Sequence, residues 1–171
     1  VCSSDLTLSI QKLVDSTRRT LIKVVGSGGG TNDLLIDAAK LAYSLNANSK
    51  ILGTGTDRKS SYGLSIKRIS GQAQVGSNKI ITLQWADDTN SPIVTIGNGH
   101  FDYNFDREGM SGSIHMLPNA NATGNILITS TASTSDAWTI LIDLKKDGRD
   151  YDQGQTARPA DFNYGYYGVN P

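Results

Sequence analysis

Trp138, Ile140, Ile142 and Leu144 occupy alternate positions of a single run, with Thr139, Leu141, Asp143 and Lys145 between them. A period of two sends one set of side chains to one face of a strand and the other set to the opposite face, as a half-buried β-strand requires. The pattern recurs between residues 79 and 85, where Ile81, Leu83 and Trp85 oppose Ile80, Thr82 and Gln84. It appears again where Phe101, Tyr103 and Phe105 oppose Asp102, Asn104 and Asp106. Asn90-Ser91-Pro92 and Gly97-Asn98-Gly99 separate these runs with turn chemistry, since glycine tolerates positive φ and proline fixes its own. Residues 62–105 therefore read as an antiparallel meander around which the rest of the chain must pack.

Further strands are predicted on both sides of it. Residues 20–26 are β-branched and apolar and read as the first strand; residues 34–37 read as a second, running into an alanine-rich helical turn near 38–45. Within residues 62–74 the apolar positions change parity, from Leu64 and Ile66 to Ile69, Ala73 and Val75. Such a slip implies a bulge, placed here at Lys67-Arg68, or a strand that passes from one sheet to the other. Residues 92–96, 125–130 and 137–146 bring the count to seven or eight strands with little helix. The predicted fold class is all-β: an antiparallel β-sandwich of jelly-roll-like outline.

A length of 171 residues suits one domain, and 18 glycines with 37% hydrophobic residues favour short strands and turns over packed helices. The sandwich is assigned to residues 20–146. Residues 1–19 read as an N-terminal arm or short helix, from the spacing of Ile10, Leu13 and Val14 behind a capping Ser9. Within it, Val-Cys-Ser-Ser-Asp-Leu is what the 3′ end of a common short-read sequencing adapter encodes in one frame. Residues 1–6 are therefore expected to be an assembly artefact, with the chain proper under way at Thr7. Residues 147–171 lose the apolar period but keep Tyr151, Phe162, Tyr164, Tyr166 and Tyr167. Aromatic side chains are enriched at interfaces, so this extended tail is predicted to bind a partner through those five rings.

Charge and motif content narrow the function classes. Lys plus Arg and Asp plus Glu number 16 each, whereas phosphate binding calls for a concentrated positive surface, so nucleic acid is not expected as a partner. No apolar run approaches the roughly 20 residues of a helical span, and no membrane partner is expected. The Ser-Gly-Gly-Gly run at 27–30 is followed by Thr31-Asn32-Asp33 rather than the Lys-Ser/Thr of a phosphate loop. His100 and His115 lack metal-ligand spacing, and Cys2 stands alone. Asp147, Asp150 and Asp152 lack the closing glutamate of a helix-loop-helix calcium site. Asp87-Asp88, and Asp102 with Asp106, matter for glycoside chemistry only at the right separation in a cleft. Gly109-Met110-Ser111-Gly112 is not a nucleophile elbow, and Asn121-Ala122-Thr123 is a sequon by spelling only. No catalytic, metal or cofactor-binding residue is assigned, and the long loop at 106–124 is left as a partner-contact candidate.

The chain resembles small virion structural proteins of marine tailed bacteriophages. The resemblance covers about residues 20–152 and rests on an ordered series of β patterns. These are Ile66-Lys67-Arg68-Ile69, Val75 with Ile81-Thr82-Leu83-Gln84-Trp85, Gly97-Asn98-Gly99-His100-Phe101-Asp102-Tyr103, Thr123-Gly124-Asn125-Ile126-Leu127, and the run from Trp138 to Lys146. It implies a non-enzymatic β-sandwich without cofactors, localised to the virion after assembly in the host cytoplasm. There it would decorate or cement the capsid as a homo-oligomer or lattice-bound unit, through protein–protein contacts with coat or tail subunits. The alternative expectation is a tail- or fibre-associated module that binds carbohydrate or a receptor.

Overall fold

The computed structural model of the protein describes residues 5–52, 58–105, 114–115 and 120–153. In chain order the strands are β1 (Thr7–Asp15), β2 (Arg19–Ser27), β3 (Gly30–Ile36), β4 (Leu64–Gln74), β5 (Ile81–Trp85), β6 (Pro92–Ile96), β7 (Gly99–Asn104), β8 (Ile114–His115), β9 (Ile126–Ser130) and β10 (Ala137–Lys146). They form two antiparallel sheets. One runs β1-β2-β10-β4-β7, with β8 also pairing β4; the other runs β3-β9-β5-β6. The architecture is an all-β sandwich, as the alternation predicts.

Strand β10 organises the larger sheet because it is paired along both edges, by β2 and by β4, so its backbone donors and acceptors are used on either side. Its inward residues define cross-strand rows: Gly26–Trp138–Ala73, Val24–Ile140–Gly71, Ile22–Ile142–Ile69 and Thr20–Leu144–Ile66. Size is balanced most clearly in the first of them. Trp138, the largest, lies between two of the smallest, and a Cβ added to Gly26 would come within 2.5 Å of the indole. From the other sheet Ile81, Leu83, Trp85, Ile126 and Ile128 complete the core, all buried.

The parity slip in β4 is a bulge. Asp143 pairs with Arg68 but Leu144 pairs with Ile66, which leaves Lys67 as the extra residue and lets Ile66 and Ile69 both face inward. The strand stays in its own sheet throughout. Near its middle, Gly71 has φ +155°, and any Cβ there would overlap the Thr139 carbonyl oxygen of β10.

Three expectations are corrected. Residues 7–15 are neither arm nor helix: they form β1, registered against β2 from Thr7–Ser27 to Asp15–Thr20. The spacing of Ile10, Leu13 and Val14 suits either element, and pairing with β2 decides because it satisfies the backbone of an entire strand. The helical turn predicted near 38–45 shrinks to one 3₁₀ turn, Ala38–Lys40, capped by the Asp37 carboxylate. Ala38, Ala39 and Leu41 are buried there, so packing overrides the helix propensity of the alanines. At the other end the domain does not stop at Lys146, because residues 147–152 are bonded back to it through Gly63, Leu45 and Tyr43.

Candidate functional site

Residues 37–52 pack at one end of the sandwich and are fastened there by two tyrosines. Tyr62 donates its hydroxyl to the Leu45 carbonyl at 2.8 Å, and Tyr151 donates to the Ala38 carbonyl at 2.8 Å. Both side chains are buried. Tyr151, predicted as the first ring of a partner-binding tail, is therefore a core residue. Lack of apolar neighbours in its own segment is made good by Ala38 and Tyr62, which come from elsewhere in the chain. Phe162, Tyr164, Tyr166 and Tyr167 lie outside the described residues.

Beneath the tyrosines, Lys146 continues the inward row of β10 by one more step. Its side chain is 0% exposed. Nζ donates to Asp15 Oδ1 at 2.5 Å, to the Ser16 carbonyl at 2.7 Å and to the Ala42 carbonyl at 2.8 Å. The rings of Tyr151 and Tyr43 flank it at 5.2 and 5.9 Å. Asp15 is equally engaged. Its Oδ1 accepts the Thr20 hydroxyl at 3.0 Å, and its Oδ2 accepts the Ala42 N–H at 3.0 Å and the Lys12 ammonium at 3.1 Å. A buried charge is tolerable only with such pairing and hydrogen bonding. Burial pushes the Lys146 pKa below its ordinary value, opposed by the hydrogen bond and charge of Asp15. Burial acts to raise Asp15, but the Lys146 hydrogen bond, the Ala42 N–H and the Lys146 charge outweigh it and hold the carboxyl below its usual range.

Sequence reading missed this node. The signal was present in part: Lys146 shares the parity of Leu144, Ile142 and Ile140, which assigns it inward, but its partner lies 131 residues away.

An open cleft of about 800 Å³ adjoins the same end, lined by Ser61, Gly63, Ser65, Lys145, Asp147, Arg149, Asp150 and Gln153. Its carboxylates are already committed. Asp150 accepts the Gly63 N–H at 2.7 Å and Lys59 at 2.9 Å, and Asp147 is held by Arg149 at 2.7 Å. Among the described residues no three acidic, histidine or cysteine side chains converge as a metal ion would require. Asp87, in turn, accepts from the backbone and hydroxyl of both Thr89 and Ser91, and Asp88 accepts the Asn121 amide at 2.6 Å. The Asp87 bonds close a turn, and the Asp88 bond ties that turn to residue 121. His100 is exposed on β7, where it pairs with Gln72; on β8, position 115 is registered against Ser65.

The surfaces available for partners are sheet edges. β1 has a single neighbour among the described strands, and on it Ile10, Leu13 and Val14 are 44%, 45% and 40% exposed. Natural edges are usually blunted by charge or proline; β1 carries one lysine, one aspartate and a local register shift between Lys12 and Val14. On the opposite edge Phe101, Tyr103 and Phe105 form a row with centroids 6.2 and 6.5 Å apart, the middle ring 38% exposed.

No family model matches the sequence, and no curated protein matches it.

Proposed function

We propose that this chain is a non-enzymatic structural protein of a bacteriophage virion, decorating or cementing the capsid by protein–protein contacts. The observation that supports it best is edge strand β1, with exposed Ile10, Leu13 and Val14 and only one strand neighbour among the described residues. A particle lattice repeats one contact many times. An open edge suits such a contact because main-chain hydrogen bonds supply affinity while alternate side chains supply specificity. The ordered β patterns that resemble phage virion proteins support the same reading. Its partners would be coat or tail subunits or further copies of itself, met in the host cytoplasm during assembly. Residues 154–171, with Phe162, Tyr164, Tyr166 and Tyr167, would supply a second docking element.

Mass spectrometry of purified particles tests this directly. Copies on the order of hundreds per particle correspond to capsid decoration and about a dozen or fewer to a neck or tail position; absence from particles overturns the proposal. The row Phe101, Tyr103, Phe105 favours one second reading, a carbohydrate- or receptor-binding module of the tail or fibre, since exposed aromatic rings suit apolar sugar faces. Saccharide binding that is lost in Tyr103→Ala, in a chain missing from the capsid shell, would replace the first reading with this one.

A further inference from the structure

We propose that Lys146 and Asp15 are the reacting pair of an intramolecular amide cross-link, which joins edge strand β1 covalently to central strand β10. Four observations carry this beyond an ordinary ion pair. The amine is sealed from solvent, with its side chain 0% exposed, and stands 2.5 Å from Asp15 Oδ1. Two of its N–H groups are taken by the Ser16 and Ala42 carbonyls, so an amine that has lost its third proton keeps both bonds and aims its lone pair at the Asp15 carboxyl. The two carboxyl oxygens are differentiated. Oδ2 faces the Ala42 N–H and the Lys12 ammonium, donors placed to stabilise the negative charge of a tetrahedral intermediate. Oδ1, on the other side, faces Lys146 and the Thr20 hydroxyl, both proton carriers.

The step balances without any further reactant. The Lys146 ammonium passes one proton along its hydrogen bond to Oδ1, and the freed amine attacks the Asp15 carboxyl carbon. The C–O bond to Oδ1 then breaks as a second amine proton reaches that oxygen, directly or through Thr20. An ammonium and a carboxylate become one amide and one water. Forming an amide from ions is unfavourable in bulk water, but groups fixed at contact distance reach effective concentrations of about 10⁵–10⁸ M. Burial of the Lys146 ammonium, whose side chain is 0% exposed, further favours the neutral product over the ion pair. The consequence is mechanical: β1, which has one strand neighbour among the described residues, could no longer peel away at its Asp15 end.

Intact-mass measurement of the purified full chain under denaturing conditions reads the result. The expected mass is lower than the sequence mass by one water, and a tryptic digest should contain residues 13–18 joined to residues 146–149, with cleavage after Lys146 blocked. Lys146→Met should restore the full mass. A folded wild-type chain at its full sequence mass overturns the proposal. So does a lost water that maps to a succinimide at Asp147-Gly148, or one that persists in Lys146→Met. The wild-type digest decides the matter even if the variant fails to fold.

Discussion

Tyr62 and Tyr151 meet with ring centroids 5.7 Å apart and planes tilted by 52°, one leading into β4 and the other following β10. Each hydroxyl ends on a carbonyl of the segment that precedes Tyr62, at Leu45 and Ala38. The pair thus closes the end of the sandwich, and it makes residues 147–152 part of the fold.

Removing that closure should be costly in a graded way. Tyr151→Phe leaves the Ala38 carbonyl without its donor and is expected to lower stability by about 1–3 kcal/mol. Tyr151→Ala adds a cavity and should cost about 3–5 kcal/mol. A chain ending at Gln153 should retain wild-type stability while failing to enter particles. Urea unfolding followed by tryptophan fluorescence measures the stabilities, and a Tyr151→Ala chain as stable as wild type would return this residue to the tail.

Alkaline pH should unfold the protein through the same residue. Burial, and then the negative charge of Asp150, raise the Tyr151 pKa far above its ordinary value. A raised acid pKa means that the folded state holds its proton while the unfolded state releases it, so this contribution is complete below about pH 10 and declines as pH rises above it. Absorbance titration of phenolate should show one tyrosine ionising only with unfolding, and Tyr151→Phe should remove that step.

Acid acts with the opposite sign. Asp147 is held below its ordinary pKa by the Arg149 hydrogen bond, against partial burial. Its contribution is therefore present above about pH 4 and is lost as pH falls through the folded value. Asp147→Asn should flatten the acid limb of a stability–pH curve. Asp15 would add to that limb only in chains where its carboxyl is still free.

Core and surface should respond very differently to truncation. Leu83→Ala or Trp138→Ala should cost about 2–5 kcal/mol, because both side chains are fully packed between the sheets. Arg68→Ala breaks a bidentate pair with Asp102, but both partners are about half exposed, and the loss should stay under about 1 kcal/mol. Thermal denaturation of the three variants separates these outcomes.

The β1 edge predicts an assembly phenotype without a folding one. Ile10→Lys and Leu13→Lys place charge on an exposed edge, where changes usually stay within about 0.5 kcal/mol. They should abolish incorporation into particles or oligomers, as read by sedimentation. Unchanged incorporation would remove β1 from the contact.

The sandwich was legible in the sequence because strand periodicity is local: each of Ile81, Leu83, Trp85, Trp138, Ile140, Ile142 and Leu144 announces its face through its immediate neighbours. The parity slip at Lys67-Arg68 was visible too, since one extra residue inverts parity for everything after it, and the pairing with β10 decides that it is a bulge. What the sequence by itself could not decide were matters of partnership. Ile10, Leu13 and Val14 suit a helix or a strand until β2 offers a backbone to pair with. Tyr151 has the local surroundings of an exposed tail until Tyr62 and Ala38, distant in the chain, enclose it. Lys146 has the inward parity of Leu144, but no counter-charge is legible for it until the strand that ends in Asp15 arrives beside it. Alternation is set by the geometry of one strand, whereas these three outcomes depend on which distant segments burial brings together, and only the tertiary structure determines that.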